Sequence, residues 1–154
     1  MQEHVIIAPH ADDECIYCYE ILITKKPIII YTEPMSKERQ QEALSLKNHV
    51  EIKAQFFLNN IPSHILNPDS IFYMPDPYFE KHFAHRAWGA IGESMARKGM
   101  NVIFYSLDAP YIHEVMNPGG KNELLDKVYP SQKSLWEWEK KYVLFEGYSK
   151  WIFK

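Results

Sequence analysis

Directly after the apolar run Val5-Ile6-Ile7-Ala8, the chain turns at Pro9 and presents His10-Ala11-Asp12-Asp13-Glu14. Three adjacent acids repel one another and cost free energy unless a cation or water takes up the charge. A metal ion would do so, and a histidine with a carboxylate three positions later is a workable pair of zinc ligands. The plainer alternative is a solvated acidic turn whose Asp side chains favour the dipole of the next helix.

A catalytic zinc takes three protein ligands and keeps one position open for water. The remaining histidines are His4, His49, His64, His82, His85 and His113. His82 and His85 follow the proline-rich stretch Met74-Pro75-Asp76-Pro77 at the head of an expected helix. Spaced i,i+3, both imidazoles can face one side. Taken alone, such a pair is more often a surface coincidence. His113, in the loop after a later strand, is the rival third ligand.

These residues need elements to position them. Val5–Ala8, Ile28–Tyr31, Gln55–Leu58, Ile71–Met74 and Asn101–Tyr105 read as short buried strands. Between them, helices are expected over Asp13–Ile23, from Ser36 to about Glu51, and from about Glu80 to Arg97. Strands alternating with helices predict an α/β fold with a Rossmann-like open, mostly parallel sheet flanked by helices. Ligands of such sheets sit beyond the carboxyl ends of the strands. Since the acidic motif follows the first strand directly, topology places the metal site there. Beyond Ser106 the chain reads as loop, including Pro118-Gly119-Gly120, then two helices over Asn122–Val128 and Gln132–Lys140, then an apolar tail through Phe153.

At 154 residues a single domain over 1–154 is expected. The net charge of -3 speaks against a general nucleic-acid or membrane-surface binder. No apolar run approaches the roughly 20 residues of a membrane span. Met1-Gln2-Glu3-His4 leads into a strand without the basic and apolar regions of a signal peptide, so a cytoplasmic location is expected. Cys15 and Cys18 have a CxxC spacing with no second pair, and read better as reduced, buried thiols than as a redox or zinc motif. The aromatics Trp136, Trp138, Tyr142, Phe145, Tyr148 and Trp151 read first as core, otherwise as a sugar-stacking wall or a homo-oligomer contact.

Pro9-His10-Ala11-Asp12-Asp13-Glu14 after a strand resembles the (P/A)HxDDE signature of the zinc-dependent de-N-acetylases of the PIG-L/LmbE type. His82-Phe83-Ala84-His85 resembles that family's HxxH motif. Arg39 with Glu42, Tyr105–Tyr111 and Lys121–Gln132 follow in order as weaker echoes of its RxxE helix, its Pro-Tyr strand end and its Lys…Ser-Gln segment. The resemblance implies one zinc ion per chain held by His10, Asp13 and His85. It implies Asp12 as general base, and His82, protonated, as oxyanion support or acid for the leaving amine. Arg39 becomes a substrate contact, and Glu14 orients the motif by accepting local hydrogen bonds. The implied reaction is removal of acetyl from an N-acetylated amino sugar or related small conjugate. The chain is shorter than the family's usual length. It has Ala84 where an Asp often precedes the last histidine, and Cys15 to Tyr19 in place of small glycines. Two alternatives stand beside this one. The first is a relative that holds metal or ligand without turnover. The second is a magnesium-dependent phosphate-handling enzyme using Asp12 and Asp13, which two nearby imidazoles disfavour.

Overall fold

The computed structural model describes residues 2–150. Trp151 and Phe153 lie outside the described residues. β1 (His4–Ala8), β2 (Ile28–Tyr31), β3 (Lys53–Phe56), β4 (Ile71–Pro75) and β5 (Asn101–Tyr105) form parallel ladders, and β6 (Ile112–Glu114) and β7 (Phe145–Ser149) complete the sheet in the order β3-β2-β1-β4-β5-β7-β6. β7 runs antiparallel to both β5 and β6. The expected α/β fold with a mostly parallel sheet is therefore the observed one.

Side chains alternate across the strands. Ile6, Ala8, Ile29, Tyr31, Tyr73 and Tyr105 face one core, while Val5, Ile7, Ile30, Phe72, Met74 and Phe104 face the other. Helix α1 (Asp13–Lys25) covers the first face together with α4 (Pro118–Val128). Helix α3 (Phe83–Arg97) covers the second through Trp88 and Met95. Such two-sided burial explains why the central strands are continuous apolar runs.

Several expected boundaries move. Helix α2 ends at Ser45 (Lys37–Ser45) and a 3-10 turn follows, because Glu51 already leads into β3. α3 begins at Phe83 rather than Glu80, since the side chain of His82 caps it by accepting Ala84 N–H at 3.1 Å. Pro118-Gly119-Gly120 is the first turn of α4, not loop: proline suits a position with no N–H to satisfy, and Asn117 accepts the Gly120 N–H at 2.9 Å. The expected final helix, Gln132–Lys140, is found as α5 (Lys133–Trp138), and the stretch read as tail opens with a short α6 (Lys141–Leu144). The loop and tail yield β6 and β7, antiparallel strands too short and polar to announce themselves. Of the C-terminal aromatics, Trp136 is buried, whereas Trp138 is 89% exposed and belongs to no core.

α1 is not continuous. Cys18 leaves helical geometry at φ -129°, ψ 29°, and two buried side chains from the far end of the chain occupy the break. Glu146 of β7 accepts the N–H groups of Tyr19 at 3.0 Å and Glu20 at 3.1 Å. Lys121 of α4 donates to the Ile16 carbonyl and pairs with Glu146 at 2.9 Å. The backbone groups freed by the kink are thus satisfied, as burial demands. Both thiols, Cys15 and Cys18, are free and buried.

Helix α3 approaches the end of β4 as closely as backbone permits. A Cβ on Gly89 would fall 2.6 Å from both Pro75 O and Pro77 N. Gly89→Ala is expected to cost about 1–3 kcal/mol by pushing α3 off the sheet. A thermal melt should show a Tm lower by several degrees. An unchanged Tm would mean the helix has room that this packing denies it.

Candidate metal centre

The loop after β1 and the loop after β4 flank the place where the sheet's connections change direction, from β3-β2-β1 on one side to β4-β5 on the other. Open α/β sheets bind ligands in such crevices. His10 lies just past the end of β1, Asp12 and Asp13 at the start of α1, and His85 in the first turn of α3.

Three of these side chains converge. Asp13 Oδ2 stands 3.3 Å from His10 Nδ1 and 3.0 Å from His85 Nε2. One donor atom from each of His10, Asp13 and His85 lies within 4.8 Å of the others. Tetrahedral ligation at about 2.0–2.1 Å spaces donor atoms by roughly 3.3 Å, so this group can hold a metal ion. Asp13 and His85 are buried and His10 is partly open to solvent. His113 joins no such group. It sits on β6, paired with Glu20, and does not line the cleft.

Glu80, which sequence reasoning counted only as the first turn of a helix, is a buried partner of this group. Its Oε1 lies 2.8 Å from His85 Nδ1, and its Oε2 accepts from Ser106 Oγ at 2.6 Å. A carboxylate on Nδ1 fixes the ring and leaves Nε2 for the metal. No sequence signal separated Glu80 from any other acid near a helix start.

Asp12 stands beside the metal-binding group but outside it. Its backbone is left-handed at φ 112°, a conformation that a non-glycine residue holds only under constraint. The backbone bonds of Asp12 hold it there, its N–H to Glu14 and its carbonyl accepting from Cys15 and Ile16, while Arg39 Nη2 lies 3.3 Å from Asp12 Oδ2 and donates to the Ala11 carbonyl. Ser36 caps α2 by accepting the Arg39 N–H at 3.3 Å, aiming the helix start at the site. Farther along α2, Glu42 accepts the Ser131 N–H at 2.9 Å and its hydroxyl, which ties the Arg39–Glu42 pair to the turn carrying Gln132. Glu14 is wholly buried and accepts from Asp12 N–H at 3.2 Å and from the Tyr129 hydroxyl.

Environment separates the three acids. Burial, reinforced by the neighbouring Asp13 charge, raises the Asp12 carboxyl well above its usual range despite Arg39. Burial would raise Asp13 too, but the charges and hydrogen bonds of His85 and His10 hold it well below. Glu14 is pushed up to about 7 by burial, against the Tyr129 hydrogen bond. His82 meets the His10 and His85 rings at 4.6 and 5.5 Å between centroids. Burial and those two imidazoles lower its pKa. Its Nδ1 accepts the Ala84 N–H, so the neutral ring carries its proton on Nε2. The direction of that shift works against the protonated His82 that the resemblance implies.

The group opens into a cleft of about 470 Å³, within the size range of small-molecule sites. Arg39, Lys81 and His82 line it, together with Gln132, Leu135 and Tyr142 of the C-terminal elements. Lys141 and Asp108, paired at 2.9 Å, also line it.

No family model and no curated protein matches the chain. A solved structure does resemble it: GalB, the 4-carboxy-2-hydroxymuconate hydratase of Pseudomonas putida KT2440, with a TM-score of 0.67 over 100% of this chain and 98% of that one, at 9% identity. At that identity the likeness establishes the fold and nothing finer. Among the described residues, no helix is long and apolar enough to cross a membrane.

Two measurements follow from the Glu80–His85–Asp13 chain. Removing the Nδ1 acceptor in Glu80→Ala should weaken binding of an added divalent ion such as zinc about 10–100-fold, read by chelator competition. Unchanged affinity would show that Glu80 does not orient the ligand. Without metal, burial would lower His85, but Asp13 and Glu80 outweigh it and raise the imidazole to about 10. The folded chain then holds that proton more tightly than the unfolded one. The added stability is complete below about pH 6.5 and lost as pH rises through about 10. Chelator-treated protein should melt at falling temperature across that window, and His85→Gln should flatten the decline.

Proposed function

We propose that the chain is a zinc-dependent hydrolase that removes acetyl from an N-acetylated amino sugar or a related small conjugate. The observation that carries this reading is the meeting at one cleft of His10, Asp13 and His85, a set able to hold a metal ion, with Asp12 and His82 lining the same cleft outside that set. Two imidazoles and a carboxylate suit zinc and make poor company for magnesium. When bound, the metal supplies a water activated near neutral pH and a Lewis acid for the amide carbonyl.

The chain's own residues handle protons and position. Asp12, made more basic by burial, accepts a proton from the attacking water and can return it to the departing amine nitrogen. Arg39 keeps the Asp12 carboxylate aimed and limits how far burial raises it. His82 offers Nε2–H toward the carbonyl oxygen as charge develops there. Gln132 and Tyr142 border the space left for the rest of the substrate. The same base and acid would serve water addition to a double bond, the reaction named for the structural neighbour. That substrate belongs in the assay panel for this reason.

The test is metal analysis of protein purified without chelator, coupled to acetate release from N-acetylglucosamine derivatives. Asp12→Asn should retain zinc and lose about 10²–10⁴ in kcat. His85→Ala should lose zinc, and His113→Ala should keep it. Zinc retained in the first and lost in the second overturns the ligand assignment. Absence of zinc from the wild type sinks the reading, and bound zinc without acetate release leaves a ligand-holding protein without turnover.

A further inference from the structure

A second hollow, of about 320 Å³, opens at the carboxyl ends of β2 and β3 beside the metal-binding cleft. Its walls are Tyr31, Met35, Phe56 and Leu58, with Glu33 and Gln40 as the polar members. Phe56 lies over the buried Tyr31 ring at 5.1 Å between centroids and 25° between planes, so the partly exposed Phe56 ring is the flat aromatic face of the hollow. Leu58 is 62% and Phe56 37% exposed, which leaves apolar surface facing solvent where a ligand would cover it.

The hollow and the cleft meet the same helix: Arg39 lines one and Gln40 the other as consecutive residues of α2. Glu33 donates its N–H to the Pro9 carbonyl at 3.1 Å, one residue from His10. Its Oε1 accepts the Trp88 indole N–H at 3.2 Å, and that bond fixes the carboxylate at the lip. Gln40 spends one side-chain donor on Met35 O at 3.4 Å and keeps its carbonyl. Aromatic walls with a few fixed polar groups are the usual make-up of a small-molecule subsite. An acid just past the second strand of a Rossmann-like sheet is placed to accept from a hydroxyl.

We propose that this hollow is a second subsite, taking a flat aromatic group attached through a hydroxylated unit, with Glu33 accepting from a hydroxyl. Joined to the cleft, it would receive the amine-side remainder of the substrate, an extension that rests on the hydrolase reading above.

Binding can be tested without that reading. Phenyl β-D-glucoside, which has no acetyl group, is titrated into ¹⁵N-labelled protein while the Trp88 indole N–H signal, assigned through bonds, is followed. The signal should move saturably with the phenyl glycoside and stay still with methyl β-D-glucoside. Gln40→Trp, on an exposed helix position that would fill the hollow, and Leu58→Asp should each weaken the response at least fivefold. No response, an equal response to the methyl glycoside, or indifference to both substitutions overturns the proposal. In the second arm, KM for acetate release should be at least fivefold lower for phenyl than for methyl N-acetylglucosaminide, and Leu58→Asp should erase the difference. An intact Trp88 response with no acetate release from either compound upholds the subsite and fails the reaction. Equal KM values with measurable turnover overturn the extension to the substrate.

Discussion

Three consecutive carboxylates, Asp12, Asp13 and Glu14, are buried at the end of one central strand. Each would cost several kcal/mol as an unpaired buried charge. The chain resolves this by giving each acid a different partner from a different place. Arg39 comes from α2, His10 and His85 from the loop after β1 and from α3, and Tyr129 from the end of α4. Elements distant in sequence must therefore converge on one loop, and the cleft lies where they meet.

The different partners also separate the acids chemically. Asp13, with two imidazoles, is held anionic and can ligate. Asp12 meets a single guanidinium and is left the better proton acceptor. Glu14 meets neutral donors and sits near 7, where it serves the backbone of the motif rather than the cleft. Pairs of titratable groups driven apart in pKa by their surroundings are how one site holds both acid and base. Here the separation follows from which partner reaches which oxygen.

Much of this was legible from residue order. Apolar runs at Val5, Ile28, Ile71 and Asn101 locate the parallel strands, because two-sided burial demands such runs. The loop after β1 follows from where Pro9 stands, and the meeting of Asp13 with His10 and His85 from spacing and resemblance. Less legible were contacts whose partners carry no local pattern. Glu80 resembles any acid near a helix start, and Tyr129 any aromatic in a C-terminal stretch. β7 has no clear alternation because Glu146 faces the core as the partner of a lysine. His113 looked like a ligand by position in a loop, yet that loop holds a strand and its partner is Glu20.

The buried Lys121–Glu146 pair connects that hidden strand to the site. An unbroken α1 would carry its backbone hydrogen bonds straight past Cys18. Glu146 instead takes the N–H groups that begin a new helical segment, and Lys121 takes the carbonyl that ends the old one. The break at Cys18 separates the first turns of α1, from Asp13 to Tyr17, from the rest of the helix. Ile16 and Tyr17 can then line the cleft while Cys15 and Cys18 stay in the core. An ion pair this deep is weak evidence for stability, since apolar replacement is often no worse. Its specific effect is geometric: only groups able to bond a free N–H pair and a free carbonyl can hold a helix broken at that residue. Elements late in the chain thus brace the helix whose first turn carries Asp13 and Glu14.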